Sequence, residues 1–129
     1  MSANYLTQVS FLIRGTPKQL EWLDTAPSFV ISGAVAEMQN ETTIWVHSDE
    51  SVNIDDLVPA LQEFLAKFST EGYIEFQWVT YADRDVPNSC GGGALLISKD
   101  QVWGQTTADI LVDCRKEATS LKLTNIMEE

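Results

Sequence analysis

The chain is poor in positive charge. Its 129 residues hold 8 Lys and Arg against 19 Asp and Glu, for a formal net charge of −11. Affinity for nucleic acid comes from Lys and Arg displacing counterions, so direct phosphate binding is excluded as a main activity, and docking on an anionic membrane is disfavoured with it. No apolar run approaches the 18 or so residues that span a bilayer, and the N-terminus lacks the basic-then-apolar pattern of an export signal. The expectation is a cytoplasmic protein. There are only two cysteines and one histidine. In that setting Cys90 and Cys114 are expected as free thiols, Cys114 as a small buried hydrophobe. No GK[ST] follows a glycine-rich loop and no GxGxxG opens a helix, so no phosphate cradle or dinucleotide site is expected, and no cofactor is called for.

What is present is an ordinary globular balance: 44% hydrophobic and 21% charged residues in 14.4 kDa. Surface scaling gives a folded area of roughly 6,800 Å² against about 21,000 Å² unfolded, enough burial for one core. Residues 1–121 read as a single α+β domain and 122–129 as an acidic C-terminal tail. The charge is unevenly placed. Residues 19–66 carry nine acids (Glu21, Asp24, Glu37, Glu41, Asp49, Glu50, Asp55, Asp56 and Glu63) and no Lys or Arg, whereas Arg14 and Lys18 make the first eighteen residues positive.

Hydrophobic periodicity orders the elements. Tyr5, Thr7, Val9, Phe11 and Ile13 alternate as a strand. Thr16-Pro17 reads as a helix start, with Leu20 and Leu23 on one side and Pro27 as the stop. Phe29 to Met38 and Thr42 to Ser48 read as a hairpin turning at Asn40-Glu41. Ile54, Leu57, Val58, Leu61, Phe64, Leu65 and Phe68 recur at helical spacing, capped by Ser51 or Asn53 and stopped by Gly72. Tyr73 to Ala82 alternates again, Asp83 to Gly93 reads as a loop, and Ala94 to Ser98 as a short strand. A last helix starts at Thr106 or Thr107, with Ile110, Leu111 and Cys114 as its apolar side. This order predicts a ferredoxin-like βαββαβ core with a fifth strand and a C-terminal helix added, a mainly antiparallel sheet and helices on one face. The other face is left bare unless the last helix covers it.

The stretches Ile44-Trp45-Val46-His47-Ser48-Asp49-Glu50, Glu75-Phe76-Gln77-Trp78 and Gly91-Gly92-Gly93-Ala94-Leu95-Leu96-Ile97, followed by Trp103 and Thr107, carry a resemblance. The chain resembles a group of small acidic uncharacterised bacterial, phage and plasmid proteins with the same element order. The resemblance implies the α+β architecture and an origin in bacteria or their mobile elements. It transfers no catalytic residue, and the sequence departs from the group between Asp83 and Cys90.

Cys90-Gly91-Gly92-Gly93 is the most enzyme-like feature, since glycines let amides converge on an anion and a thiol can attack a carbonyl. It needs a base, and the single histidine is His47. Asp83-Arg84-Asp85 lacks the spacing of a calcium loop, and His47, Asp49 and Glu50 match no metal motif. Asp49, Glu50, Asp55 and Asp56 flank a helix start, where the dipole favours carboxylates. Parity sets Trp45 and His47 opposite Ile44 and Val46, so they project onto the bare face, joined there by Gln77 and Tyr81. Trp22, Trp78 and Trp103 read as packing residues.

Three functions compete at this point. The leading one is a non-enzymatic acidic module that docks on a basic protein, with Trp45, His47, Asp49, Glu50, Asp55, Asp56, Glu41, Gln77 and Tyr81 as the contact residues. Its setting would be an immunity or anti-defence inhibitor of a nucleic-acid-handling enzyme, in its sharpest form a DNA mimic with carboxylates in place of phosphates. The second is a small enzyme or ligand-binding protein built on the Cys90 loop. The third is a self-associating protein, a homodimer through the bare sheet face.

Overall fold

The computed structural model describes residues 4–84 and 90–127; Asp85 and the middle of the polar loop, and the last two acids of the tail, lie outside them. The protein is α+β, and the described residues form six antiparallel strands and four helices rather than the expected five and three. Thr16 caps α1 (Pro17–Thr25) with a reciprocal pair of bonds. Its hydroxyl accepts the Gln19 amide at 3.3 Å while the Gln19 side-chain oxygen accepts the Thr16 amide at 3.0 Å.

Pro27 does not simply end this helix. It occupies the first turn of a second short helix, α2 (Pro27–Ile31), where a missing N–H costs nothing. The strand expected from Phe29 therefore begins only at Ala34. Buried Ser32 makes the turn, donating to Phe29 O at 2.6 Å and accepting from Ala34 N at 3.2 Å. Gly33 follows at φ +84, and a Cβ there would sit 2.5 Å from the Ser51 carbonyl oxygen. This geometry explains why the chain reverses at a glycine.

The sheet comprises β1 (Tyr5–Arg14), β2 (Ala34–Asn40), β3 (Thr43–Ser48), β4 (Ile74–Ala82), β5 (Gly91–Ile97) and β6 (Val102–Thr106), in the order β2-β3-β1-β4-β5-β6. Between β3 and β4 runs α3 (Ile54–Phe68), capped by Asn53, whose side chain accepts the Asp55 amide at 2.9 Å. Leu57, Ala60, Leu61, Phe64 and Leu65 form its buried stripe. They meet Leu20, Leu23 and Phe29 from the first two helices and Val9, Ile13, Ile44, Val46, Ile74, Phe76 and Ile97 from one face of the sheet. Each large side chain so buried contributes about 1.5–3 kcal/mol relative to exposure.

The triple glycine belongs to β5, not to a loop. Gly91, Gly92 and Gly93 pair with Thr80, Val79 and Trp78. A Cβ at Gly93 would lie 2.5 Å from the Trp78 ring, so the strand is bare where the indole crosses it. The next strand, β6, has no counterpart in the expected element order: all five of its residues are exposed, leaving no buried face to produce an alternation. α4 (Thr107–Ser120) begins at the expected cap, Thr106, but buries no residue. Cys114 and Trp103 are therefore exposed, against the expectation that both are packed. Cys90 is exposed too, and both thiols are free.

Candidate protein-interaction face

Strand parity places the site. With Ile44 and Val46 buried against the helices, the alternate residues of β3 turn to the opposite face. There Trp45 and His47 stack on each other, ring centroids 3.9 Å apart and planes 26° from parallel. The Trp45 indole N–H donates to Ser10 Oγ at 2.9 Å, and register sets Ser10 opposite His47 on β1. His47 Nε2 lies 3.6 Å from Glu37 Oε1 on the outer strand β2, and its Nδ1 lies 3.2 Å from Ser48 O. Nε2 itself is buried and has no hydrogen-bond partner among the described residues. Three strands thus contribute to one cluster on a surface that α1, α2 and α3 leave open.

Beside it the sheet parts. The β1 to β4 ladder runs from Tyr5 opposite Ala82 to Val9 opposite Trp78, and from Ser10 onward β1 is in register with β3 alone. A groove of about 750 Å³ opens at that point, lined by Ser10, Phe11, Glu75, Phe76, Gln77, Ala94, Leu95, Leu96, Trp103 and Gly104. Ser10 belongs to both features, so the groove begins where the Trp45 indole is tethered.

The remaining expected contact residues divide. Gln77 and Tyr81 share the open face but stand on β4, across β1 from the aromatic pair. Asp49, Glu50, Asp55 and Asp56 gather in the connection from β3 into the first turn of α3. Glu41 is at the β2 to β3 turn, the far end of a six-residue strand and therefore about 20 Å away. The carboxylates thus do not form one ordered row. No Lys or Arg lies within 4 Å of a carboxylate among the described residues, so these acids have no internal countercharge at close range.

The Cys90 site does not assemble. In a strand, successive amides point to opposite edges, so those of Gly91 to Gly93 do not converge. His47 lies three strand spacings from β5, about 14 Å, too far to serve Cys90 as a base. Among the described residues no group of three or more His, Cys, Asp or Glu is placed to hold a metal ion, and no helix is long and apolar enough to cross a membrane.

No family model, curated protein or solved structure matches the chain.

Sequence reasoning overlooked Glu37, Ser10 and Leu12, which share the open face with Trp45. Glu37 and Leu12 each pair directly with it. The signal was available for β1, where Leu12 and Ser10 alternate with buried Ile13 and Val9, but an exposed leucine among polar neighbours reads as noise until the facing strand is known.

Proposed function

We propose that this protein is a non-enzymatic binding module that docks its acidic body on a basic protein, with Trp45 as the apolar anchor. The observation that carries this reading is the Trp45 and His47 stack, held by Ser10 on the sheet face opposite buried Ile44 and Val46. A fixed, amphipathic indole is the residue type that dominates interface energetics, because it buries a large area at little entropic cost. The carboxylates without close internal cations supply the complementary field. They speed encounter with a cationic surface and disfavour acidic competitors.

Nucleic-acid-handling enzymes fit as the partner class, because their clefts are lined with Lys and Arg that bind phosphates. An immunity or anti-defence role belongs with that choice. The separation of Glu41 from the other acids favours docking by an acidic end over phosphate-by-phosphate mimicry. As to architecture, we read β2-β3-β1-β4 with its two helical crossovers as a ferredoxin-like unit extended by β5, β6 and α4. This is supported by the antiparallel pairing of all four strands and the helices between β1 and β2 and between β3 and β4.

The test is affinity capture from a bacterial host with the wild-type chain and with Trp45→Ala in parallel. The reading expects a basic protein retained by the first and lost by the second.

A further inference from the structure

On the reading of Trp45 as the anchor for a basic protein, we infer that His47 and Glu37 form a proton-operated latch beside it, which closes in acid and withholds the anchor from cationic side chains. His47 is the only histidine of the chain. Its Nε2 is the one buried side-chain nitrogen or oxygen without a hydrogen-bond partner among the described residues, and such an orphan is rare enough to need a cause. Both ring nitrogens face acceptors. Nδ1 lies 3.2 Å from the Ser48 carbonyl oxygen, which can only accept, so the neutral ring carries its proton on Nδ1. Nε2 then turns a lone pair toward Glu37 Oε1 at 3.6 Å, and two acceptors cannot bond. A second proton supplies the missing donor. The imidazolium donates from Nδ1 to Ser48 O and from Nε2 to the Glu37 carboxylate, which closes to about 2.8 Å, the usual length of such a bond. Glu37 is free to make that move, being largely exposed on the edge strand β2.

Glu37 is the one charged group that the neighbouring strands turn toward the ring. Register sets Ser10 of β1 and Val35 of β2 opposite His47, with Gln8 and Leu12 next along β1 on that face. Asp49 and Glu50 follow His47 in the chain, and neither carboxylate lies within 4 Å of its nitrogens. Glu37 also pairs directly with Trp45 across the β2 to β3 ladder. An open latch therefore presents a free carboxylate beside an indole, a combination that takes a guanidinium or ammonium group through charge and cation–π attraction. In the closed latch the carboxylate is engaged by His47, and a positive charge lies against the indole. By reciprocity, a cation that docks there drives the proton off His47. Imidazole ordinarily changes charge between about pH 5 and 8, so affinity for cations rises across that interval.

NMR of the full chain tests this, with an end-capped tetra-arginine peptide as the probe because guanidinium groups stay charged throughout the interval. Nitrogen-15 shifts of the single histidine should show the Nδ1–H tautomer at about pH 8, and titration of the ring should move the Trp45 indole N–H signal in step. The spectrum of Trp45→Ala assigns that signal. Followed on it, the peptide should bind wild type at least about fivefold more weakly at about pH 5.5 than at about pH 8. His47→Phe keeps a ring on the indole and should bring the ratio to about one, while Glu37→Ala should lower the affinity at the higher pH. An Nε2–H tautomer at the higher pH, an indole signal indifferent to the titration, or a wild-type ratio no greater than that of His47→Phe would each overturn the latch. Affinity capture judges the functional reading separately, since none of these measurements uses the basic protein.

Discussion

The Trp45 indole is held from two sides: the His47 imidazole lies 3.9 Å away in a near-parallel stack, and Ser10 accepts its N–H at 2.9 Å. Neither contact serves the core, which lies on the opposite face of the sheet. Trp45→Ala is therefore expected to lower folding stability by only about 1 kcal/mol, the scale of one hydrogen bond. The same change should weaken partner binding by about 2 kcal/mol or more, roughly thirtyfold. Urea denaturation and binding measured on one preparation separate the two effects.

Gly93 faces Trp78 across the β4 to β5 ladder, and a methyl group there would overlap both the indole and the Gln105 carbonyl oxygen. Gly93→Ala should cost about 1–3 kcal/mol, the range for forcing extra volume into a packed site. Equilibrium unfolding reads this directly. An unchanged midpoint would mean that the strand yields more readily than its register implies.

Asp55 and Asp56 lie in the first turn of α3, close to Asp49 and Glu50 in sequence and exposed or half-buried. Replacing both by Asn removes favourable helix-dipole interactions worth about 0.3–1 kcal/mol each. The expected signature is a small loss in thermal stability and a larger loss in association rate with the basic partner. The difference in rate should vanish as salt rises to about 1 M, where charges a few ångströms apart are screened. Stopped-flow association across a salt series checks it.

The Asp109 carboxylate accepts the Thr106 amide at 3.1 Å, and Thr106 Oγ1 accepts the Asp109 amide at 3.1 Å, closing the capping box of α4. The hydrogen bonds from the Thr106 amide and hydroxyl hold the Asp109 carboxyl below its usual range. A carboxyl lowered in the folded state contributes stability above its unfolded value and loses it as pH falls through the folded one. The start of α4 should therefore loosen only in acid, below the ordinary aspartate range. Amide chemical shifts of Thr106 and Asp109 followed by NMR should show this midpoint, and Asp109→Asn should abolish it.

Much of the fold was legible because one face of each central element is buried. Leu57, Leu61, Phe64 and Leu65 announce α3 by spacing alone, and Ile44 and Val46 fix which way Trp45 and His47 point. Legibility fails where burial fails or where one residue type serves two purposes. β6 and α4 bury nothing, so the apolar character of Trp103 and Cys114 points to a core that does not reach them. Pro27 both ends α1 and starts α2, and the glycines of β5 read as a loop until Trp78 is seen to need their missing side chains. The Glu37 contact with His47 depends on the pairing of β2 with β3, a register that composition does not carry.

The most direct test of the central claim is paired capture from a bacterial host, with wild-type and Trp45→Ala chains washed at about 0.1 M and about 0.5 M salt, spanning the range over which exposed charges become screened. The account predicts one basic protein retained by the wild type at the lower salt, and depleted both by the higher salt and by Trp45→Ala. Recovery of no basic protein, or of one held equally by both chains and at both salt concentrations, would contradict it.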